Sequence, residues 1–445
     1  MIDAAAADRG GRDTAAPVEA PVEAPVEAPV EAPVDCLIGG GGPAGIMLGL
    51  LLARAGLRVT VLEKHGDFLR DFRGDTVHAS TLRLLDELGL GQRFASIPHT
   101  DLSDYRLPID DHRTIVLGDF STIAKPYDHL ALAQQWDLLS MLADAAREEP
   151  TFELIMNTAT LGPVVEDGRV VGARVVGPDG RERSVRARLT VACEGRDSPL
   201  RDGAGLVPRE HKVPYDVWWF RLSRTEAERA GQQPTLLPTI VPPDILLAMA
   251  HQDYFQLAYL APAGSAARLR AEGIEAFRRR IARLRPDLAD RLDELRSVDD
   301  LPLLRVSLNR LRRWHQPGLL CIGDAAHAMS PSGGVGVNLA FQDAVAAARI
   351  LAPILRRGET PIGDDLDRVR RRRLFPTAFL QGGQRLLHRT IYVPALAGRR
   401  GGFELFVIMM RLFPWLSGPL GRLIAIGPGA EHAPDFARRD GSAHR

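Results

Sequence analysis

The residues best placed to do chemistry lie in three glycine-bearing turns, each with an acid close by. Gly40, Gly42 and Gly45 stand at the G-x-G-x-x-G spacing, with Pro43 and Ala44 inside the turn. Gly40 permits the tight turn, Gly42 lets the backbone approach a pyrophosphate, and Gly45 lets the following helix pack closely on a strand. Glu63, followed by Lys64, stands at the distance where an acid accepts hydrogen bonds from ribose hydroxyls. The second turn is Glu194-Gly195-Arg196-Asp197-Ser198. The third starts at Gly323-Asp324-Ala325-Ala326-His327 and runs through Pro331, Gly334, Gly336 and Val337 to Asn338. Asp324 at a strand end can bind sugar-type hydroxyls, and the N–H groups from Gly334 to Asn338 suit an anionic ring edge. A lone G-x-G-x-x-G is often only a glycine-rich loop. Here strand, turn, helix, second strand and acid follow in order, which is the pattern of a dinucleotide site.

The elements that position these residues can be read from apolar periodicity. Cys36 to Ile38 reads as a buried strand, about Ala44 to Ala55 as an apolar helix ended by Gly56, and Arg58 to Leu62 as a second strand. An Arg73-Gly74-Asp75 turn precedes a Ser80/Thr81 cap and a helix over Leu82, Leu84, Leu85 and Leu88. Arg73 could hold a phosphate or a flavin edge, or lie on the surface near that cap. Residues 97–132 suggest sheet and loop, and Gln135-Trp136-Asp137 opens an amphipathic helix. Short strands follow to Cys193, with hairpin turns at Asp167-Gly168 and Asp179-Gly180. Residues 213–260 alternate as an antiparallel sheet with one buried face. Its aromatic residues are either a wall for an apolar substrate or an ordinary core. An arginine-rich helix around Ile274 to Arg283 presents a solvated face, and the third turn leads into a helix from Ala340 to Leu355.

Composition removes several function classes. With 445 residues the chain can form two or three packed units. Lys plus Arg and Asp plus Glu are each 56, so nothing favours a nucleic-acid partner. Cys36, Cys193 and Cys321 sit singly in apolar runs, which implies buried thiols and a reducing, cytoplasmic location rather than disulfides. No cluster of ligand-type residues calls for a metal. Met1 to Pro33 contains four Pro-Val-Glu-Ala repeats, reads as a disordered acidic leader, and lacks the basic start and apolar core of a signal peptide. The tail beyond Arg370 is helical, with apolar patches at Phe403 to Leu412 and Leu420 to Ile426. These are too short and interrupted to span a bilayer. Docking onto the rest of the protein is the expectation, with peripheral membrane contact as the alternative.

Taken together, the three motifs make the chain resemble the flavin monooxygenases of the para-hydroxybenzoate hydroxylase type, including the aromatic and polyprenylphenol hydroxylases. The resemblance runs from Val34 to about Leu355. It implies an α/β fold, with a Rossmann-like (GR2-type) FAD-binding domain, an inserted antiparallel-sheet substrate domain and C-terminal helices. The FAD-binding parts would be 34–97, 129–205 and 304–360, the substrate parts 98–128 and 206–303, and the tail 361–445. The resemblance places Gly40, Gly42, Pro43, Ala44, Gly45, Glu63 and Lys64 at the ADP half of FAD, and Arg73 and Gln135 beside the cofactor. It puts Asp324 at the ribityl or ribose region and Pro331, Gly334, Gly336, Val337 and Asn338 over the flavin's pyrimidine edge. Glu194-Gly195 stands where the family usually has Asp-Gly, which serves FAD and NAD(P)H, and the acid here is one methylene longer. No second G-x-G-x-x-G follows a strand, in keeping with a family that has no separate NAD(P)H domain.

The implied reaction is hydroxylation of an aromatic or polyketide-like small molecule. NADPH or NADH reduces FAD, O₂ adds at the flavin C4a, and the hydroperoxide gives one oxygen to the substrate. A monomer or homodimer fits. A flavin reductase or dehydrogenase without oxygen insertion is the alternative, and a non-catalytic flavin-binding protein is the second. A halogenase is disfavoured because Trp218-Trp219 does not match Trp-x-Trp-x-Ile-Pro. The candidates for a substrate base are His78, His327, Tyr215, Tyr254 and Tyr259, and the sequence singles out none of them.

Overall fold

Apolar runs without polar alternation form parallel strands buried on both faces, as at Cys36–Ile38, Val59–Leu62 and the Leu189–Ala192 end of a longer strand. A computed structural model describes residues 33–69, 76–110, 113–231, 236–399 and 401–439. The leader and Arg73 lie outside the described residues. β1 (Val34–Gly39), β2 (Val59–Leu62), β3 (Phe152–Ile155) and β4 (Glu182–Ala192) pair in parallel, in the order β4-β1-β2-β3. A hairpin of Ala159–Glu166 and Arg169–Val176 extends β4 antiparallel, with its turn at Asp167 and Gly168, both at positive φ.

α1 (Pro43–Arg54) crosses from β1 to β2 and is buried on every side from Ala44 to Ala53, which its apolar circumference requires. Gly49 lets it lie close on the sheet, because a Cβ there would stand 2.7 Å from Phe152. α2 (Ala79–Glu87) and α3 (Gln135–Arg147) follow. The N-cap of α2 is His78, not Ser80 or Thr81, and no side chain caps it. The Thr81 hydroxyl instead donates to Asn338 Oδ1 at 2.7 Å, so tertiary contact takes it from the cap.

The chain then builds a second sheet from β5 (Tyr215–Ser223), β6 (Leu236–Val241), β7 (Asp244–Ala250) and β8 (Tyr254–Pro262), antiparallel in the order β6-β7-β8-β5 and closed by Leu303–Leu304. Both faces of this sheet are covered, which corrects the expectation of one buried face. Trp218, Phe220, Leu257 and Tyr259 pack under α4 (Ala266–Leu284). Tyr215, Val217, Trp219, Met249 and Leu260 form a separate cluster on the opposite face. The aromatic residues therefore divide between two buried clusters, one on each face.

β9 (Leu319–Cys321) returns to the first sheet, parallel to β4. α5 (Gly336–Arg356) begins one turn earlier than Ala340, directly after the glycine turn. α6 (Gly363–Leu387) ends in a π-helical turn, His388–Tyr392, and the tail continues with α7 (Gly402–Leu412) and α8 (Ser417–Ala425). Among the described residues α5 alone is a single helix long and apolar enough to cross a membrane, and most of it is buried inside the protein.

Candidate active site

The first and third glycine turns meet at Gly323. Its φ is +60°, and a Cβ on it would stand 3.1 Å from the Ala44 Cβ of α1 and 3.6 Å from the Ala340 Cβ of α5. Only a residue without a side chain sits easily in a left-handed conformation between two helices. In the first turn, Gly40 has φ +96° and a Cβ there would strike the Cys193 carbonyl oxygen at 2.5 Å. At Gly45 a Cβ would come within 1.9 Å of the Gly40 carbonyl oxygen. Around Gly42, by contrast, nothing lies within 4 Å of the Cβ direction.

Two helix N-termini open here without side-chain caps or acids in their first turns, α1 at Pro43 and α5 at Gly336. Free N–H groups and the positive end of the helix dipole make each a natural seat for an anion. The Glu63 carboxylate, at the end of β2, is buried and accepts from the Gly41 N–H at 2.9 Å and the His65 N–H at 3.0 Å. It is thus fixed beside the glycine turn, while Lys64 is exposed. The open space at Gly42, the uncapped N-termini and the held carboxylate fit the phosphates and ribose of a dinucleotide.

The second turn is wired differently from the expectation. Glu194 accepts from the Ser198 hydroxyl at 2.6 Å, the Thr160 hydroxyl at 2.9 Å and the Leu200 N–H at 3.3 Å. Burial pushes its carboxyl above the ordinary range, against the pull of these donors. Its oxygens are spent on the protein. Gly195, at φ +90°, has nothing within 4 Å of its Cβ direction. Arg196 was not singled out by its sequence position, yet its Nε donates to Asp324 Oδ2 at 3.1 Å and joins the second turn to the third.

Asn338 also serves the scaffold. Its Oδ1 accepts from the His78 N–H and the Thr81 hydroxyl, and its Nδ2 donates to the Thr76 and Gly334 carbonyls, all between 2.7 and 3.1 Å. Pro331, Gly334 and Val337 lie in the same turn, and a Cβ on Gly334 would stand 3.0 Å from Thr76. Gln135 is the first residue of α3, with Gln134 as the N-cap residue before it.

His327 is withdrawn from the site. It pairs with Asp343 at 2.6 Å, and Arg373 Nε donates to the other Asp343 oxygen at 3.0 Å, all three fully buried. The Asp343 carboxyl is held below its usual range: burial opposes this, and the His327 and Arg373 charges and hydrogen bonds outweigh it. Breaking such a buried group by removing one partner typically costs about 3–5 kcal/mol. The triad clips the third turn to α5 and α6. Of the other base candidates, Tyr259 lies under α4 and donates to Asp244 at 2.6 Å, and His78 is buried at the start of α2.

Tyr215 reaches the third turn from the second sheet. Its hydroxyl is 2.7 Å from Ser332 Oγ and 3.3 Å from Ser330 Oγ, and Ser330 Oγ lies 3.1 Å from His388 Nε2. The Tyr215 ring packs edge-on against His388 and Tyr392 from the π-helical turn. Strand alternation puts Tyr215, Val217, Trp219 and Arg221 on one face. At the far end of that face the Arg221 guanidinium lies 4.3 Å from the Tyr254 ring centre and 5.3 Å from that of Trp136, which follows Gln135. The face therefore runs from the third turn to the start of α3.

This geometry defines a two-sheet protein with a dinucleotide-type site in its parallel sheet. Residues 33–375 match the model of the FAD binding domain family. The chain is 36% identical over 332 residues to a 6-methylpretetramide 4-monooxygenase of Streptomyces rimosus, covering 73% of this chain and 76% of that one. It is 26% identical over 352 residues to a protoasukamycin 4-monooxygenase of Streptomyces nodosus subsp. asukaensis, covering 76% and 83%. The crystal structure of a probable FAD-dependent monooxygenase from Pseudomonas aeruginosa superposes with a TM-score of 0.68 at 21% identity, over 84% of this chain and all of that one. The chain belongs to the FAD-binding-domain family of flavoprotein monooxygenases. It is an FAD-dependent oxidoreductase that acts with O₂ on a small molecule.

Proposed function

We propose that the protein hydroxylates a polycyclic aromatic polyketide, with NADPH or NADH as electron donor, beside the third glycine turn. The carrying observation is the meeting of α1 and α5 at Gly323, which aims two uncapped N-termini at one region. The relatives' activities on 6-methylpretetramide and protoasukamycin support the substrate class. The segment boundaries expected from the sequence, a reducing cytoplasmic setting with Cys36, Cys193 and Cys321 as free thiols, and a monomer or homodimer belong to the same reading.

FAD, when bound, supplies the redox chemistry, taking a hydride from the nicotinamide and activating O₂ for transfer of one oxygen atom. The chain's residues provide the setting. Gly42 leaves room for the pyrophosphate, the α1 N–H groups neutralise it, and Glu63 accepts the ribose hydroxyls. The α5 N-terminus stabilises negative charge at the ring edge. Asp324, oriented by Arg196, holds the ribityl hydroxyls. Tyr215 keeps its proton, because burial raises its hydroxyl above the usual range, and can offer it as a hydrogen bond beside Ser332. Trp219 and Leu260 exclude water.

The test is turnover by the FAD-loaded chain with panels of polycyclic and monocyclic phenols. Polycyclic acceptors are expected to stimulate NAD(P)H oxidation at least about tenfold over the acceptor-free rate, as a filled pocket aligns the reactants. Stimulation by monocyclic phenols alone would overturn the substrate class.

A further inference from the structure

α7 carries large apolar residues on both its inner and its outer side, and only the inner side is covered. Phe403, Phe406, Val407 and Met410 face inward at helical spacing, and Gly402 lets the helix start pressed against the π-helical turn, where a Cβ would stand 1.9 Å from the Thr390 carbonyl oxygen. The opposite stripe, Leu405, Ile408, Met409 and Leu412, is exposed and continues into Phe413 and Trp415. Leu405, Leu412 and Trp415 are each about two-thirds exposed. A contiguous exposed apolar patch of this kind marks an interaction surface.

Charge selects the occupant. The chain as a whole is neutral, yet residues 386–430 carry five arginines and a single acid, Glu404. Elsewhere arginines are mostly paired, as on α4 and α6. Arg389, Arg399, Arg411 and Arg422 are exposed, and none forms an ion pair among the described residues. A second copy docked on this face would bring like charges together. An anionic lipid surface offers acyl chains to the stripe and phosphates to the arginines. α7 and the following helical stretch, Pro414–Ala425, are together long and apolar enough for a span but bend by 99°. That bend suits a segment lying in the interface plane.

We propose that the α7 face docks the protein peripherally on an anionic membrane surface, with Trp415 and Phe413 at the headgroup boundary. The measurement is co-sedimentation of the full-length, FAD-loaded chain with phosphatidylglycerol-containing vesicles and with pure phosphatidylcholine vesicles. Partition onto the anionic vesicles is expected, at least about tenfold above that onto neutral ones and weakened by salt. The Leu405→Glu/Leu412→Glu variant is expected to lose it while keeping the yellow flavin spectrum. Arg411→Glu/Arg422→Glu is expected to abolish the preference for anionic lipid with the apolar stripe intact. No partition of the parent chain, equal partition onto both vesicle types, or a Leu412-dependent dimer in sedimentation velocity would each overturn the proposal. None of these outcomes bears on turnover of soluble acceptors, so the hydroxylase reading stands or falls separately.

Discussion

Asn338 uses both faces of its amide on the protein, and Glu194 uses both carboxylate oxygens. Each stands in a motif whose spacing points at the cofactor, yet the side chain serves to shape the turn that approaches it. A main-chain N–H can face a ligand while its own side chain is tied behind. Glu194 gives a sharp case, because the family's usual aspartate is a methylene shorter. Glu194→Asp would shorten the reach to the Thr160 and Ser198 hydroxyls, so the melting temperature should fall by the equivalent of about 1 kcal/mol. The ratio of kcat/KM for NADPH to that for NADH should stay within about twofold, since a residue engaged by the scaffold gives no uniform binding to the nucleotide. Steady-state kinetics with both donors read this directly. A tenfold change in that ratio would place the carboxylate at the nicotinamide.

At the scale of elements, three buried histidines mark junctions that the fold must keep dry. His78 begins α2, His251 follows β7, and His388 opens the π-helical turn. Burial lowers each imidazole to about 4, with the Arg221 and Arg224 charges adding to the effect at His251. In the unfolded chain these groups take up a proton near the ordinary value of about 6.5. As pH falls from there towards 4, the unfolded state binds protons that the native state refuses, so stability drops. Each histidine removes up to about 2 kcal/mol between pH 6.5 and 5. Thermal melts across that range should show a steadily falling midpoint. A flat profile would mean that the three rings are solvated. The elements that carry these junctions were only partly legible. The first βαβ unit is legible almost to the residue, because its strands are short apolar runs and its turn depends on glycine geometry. The start of α5 lies one turn before the point that apolar periodicity marks, since Gly336 and Val337 look like loop. The Asp343–Arg373 contact, the pairing of Arg196 with Asp324 and the Ser330–His388 link join residues far apart in sequence, and no local pattern encodes them.

For the whole molecule, the two sheets divide the work. The parallel sheet with α1 and α5 presents main-chain N–H groups and held acids, while the antiparallel sheet buries one face under α4 and packs the other, from Tyr215 to Trp219, against the π-helical turn and the residues after it. Alternation alone could not say that both faces of the second sheet are covered, because the covering helix comes later in the chain. The same limit hid the exposed stripe of α7, because large apolar residues stand on both its inner and its outer side. The central claim is that these parts together insert oxygen from O₂ into an aromatic polyketide. The most direct measurement is mass spectrometry of the product formed by the FAD-loaded chain with NADPH and a polycyclic phenolic acceptor under ¹⁸O₂. One ¹⁸O atom per product molecule is the predicted result. A converted acceptor without label, formed equally well when oxygen is removed, would contradict it and identify a flavin reductase.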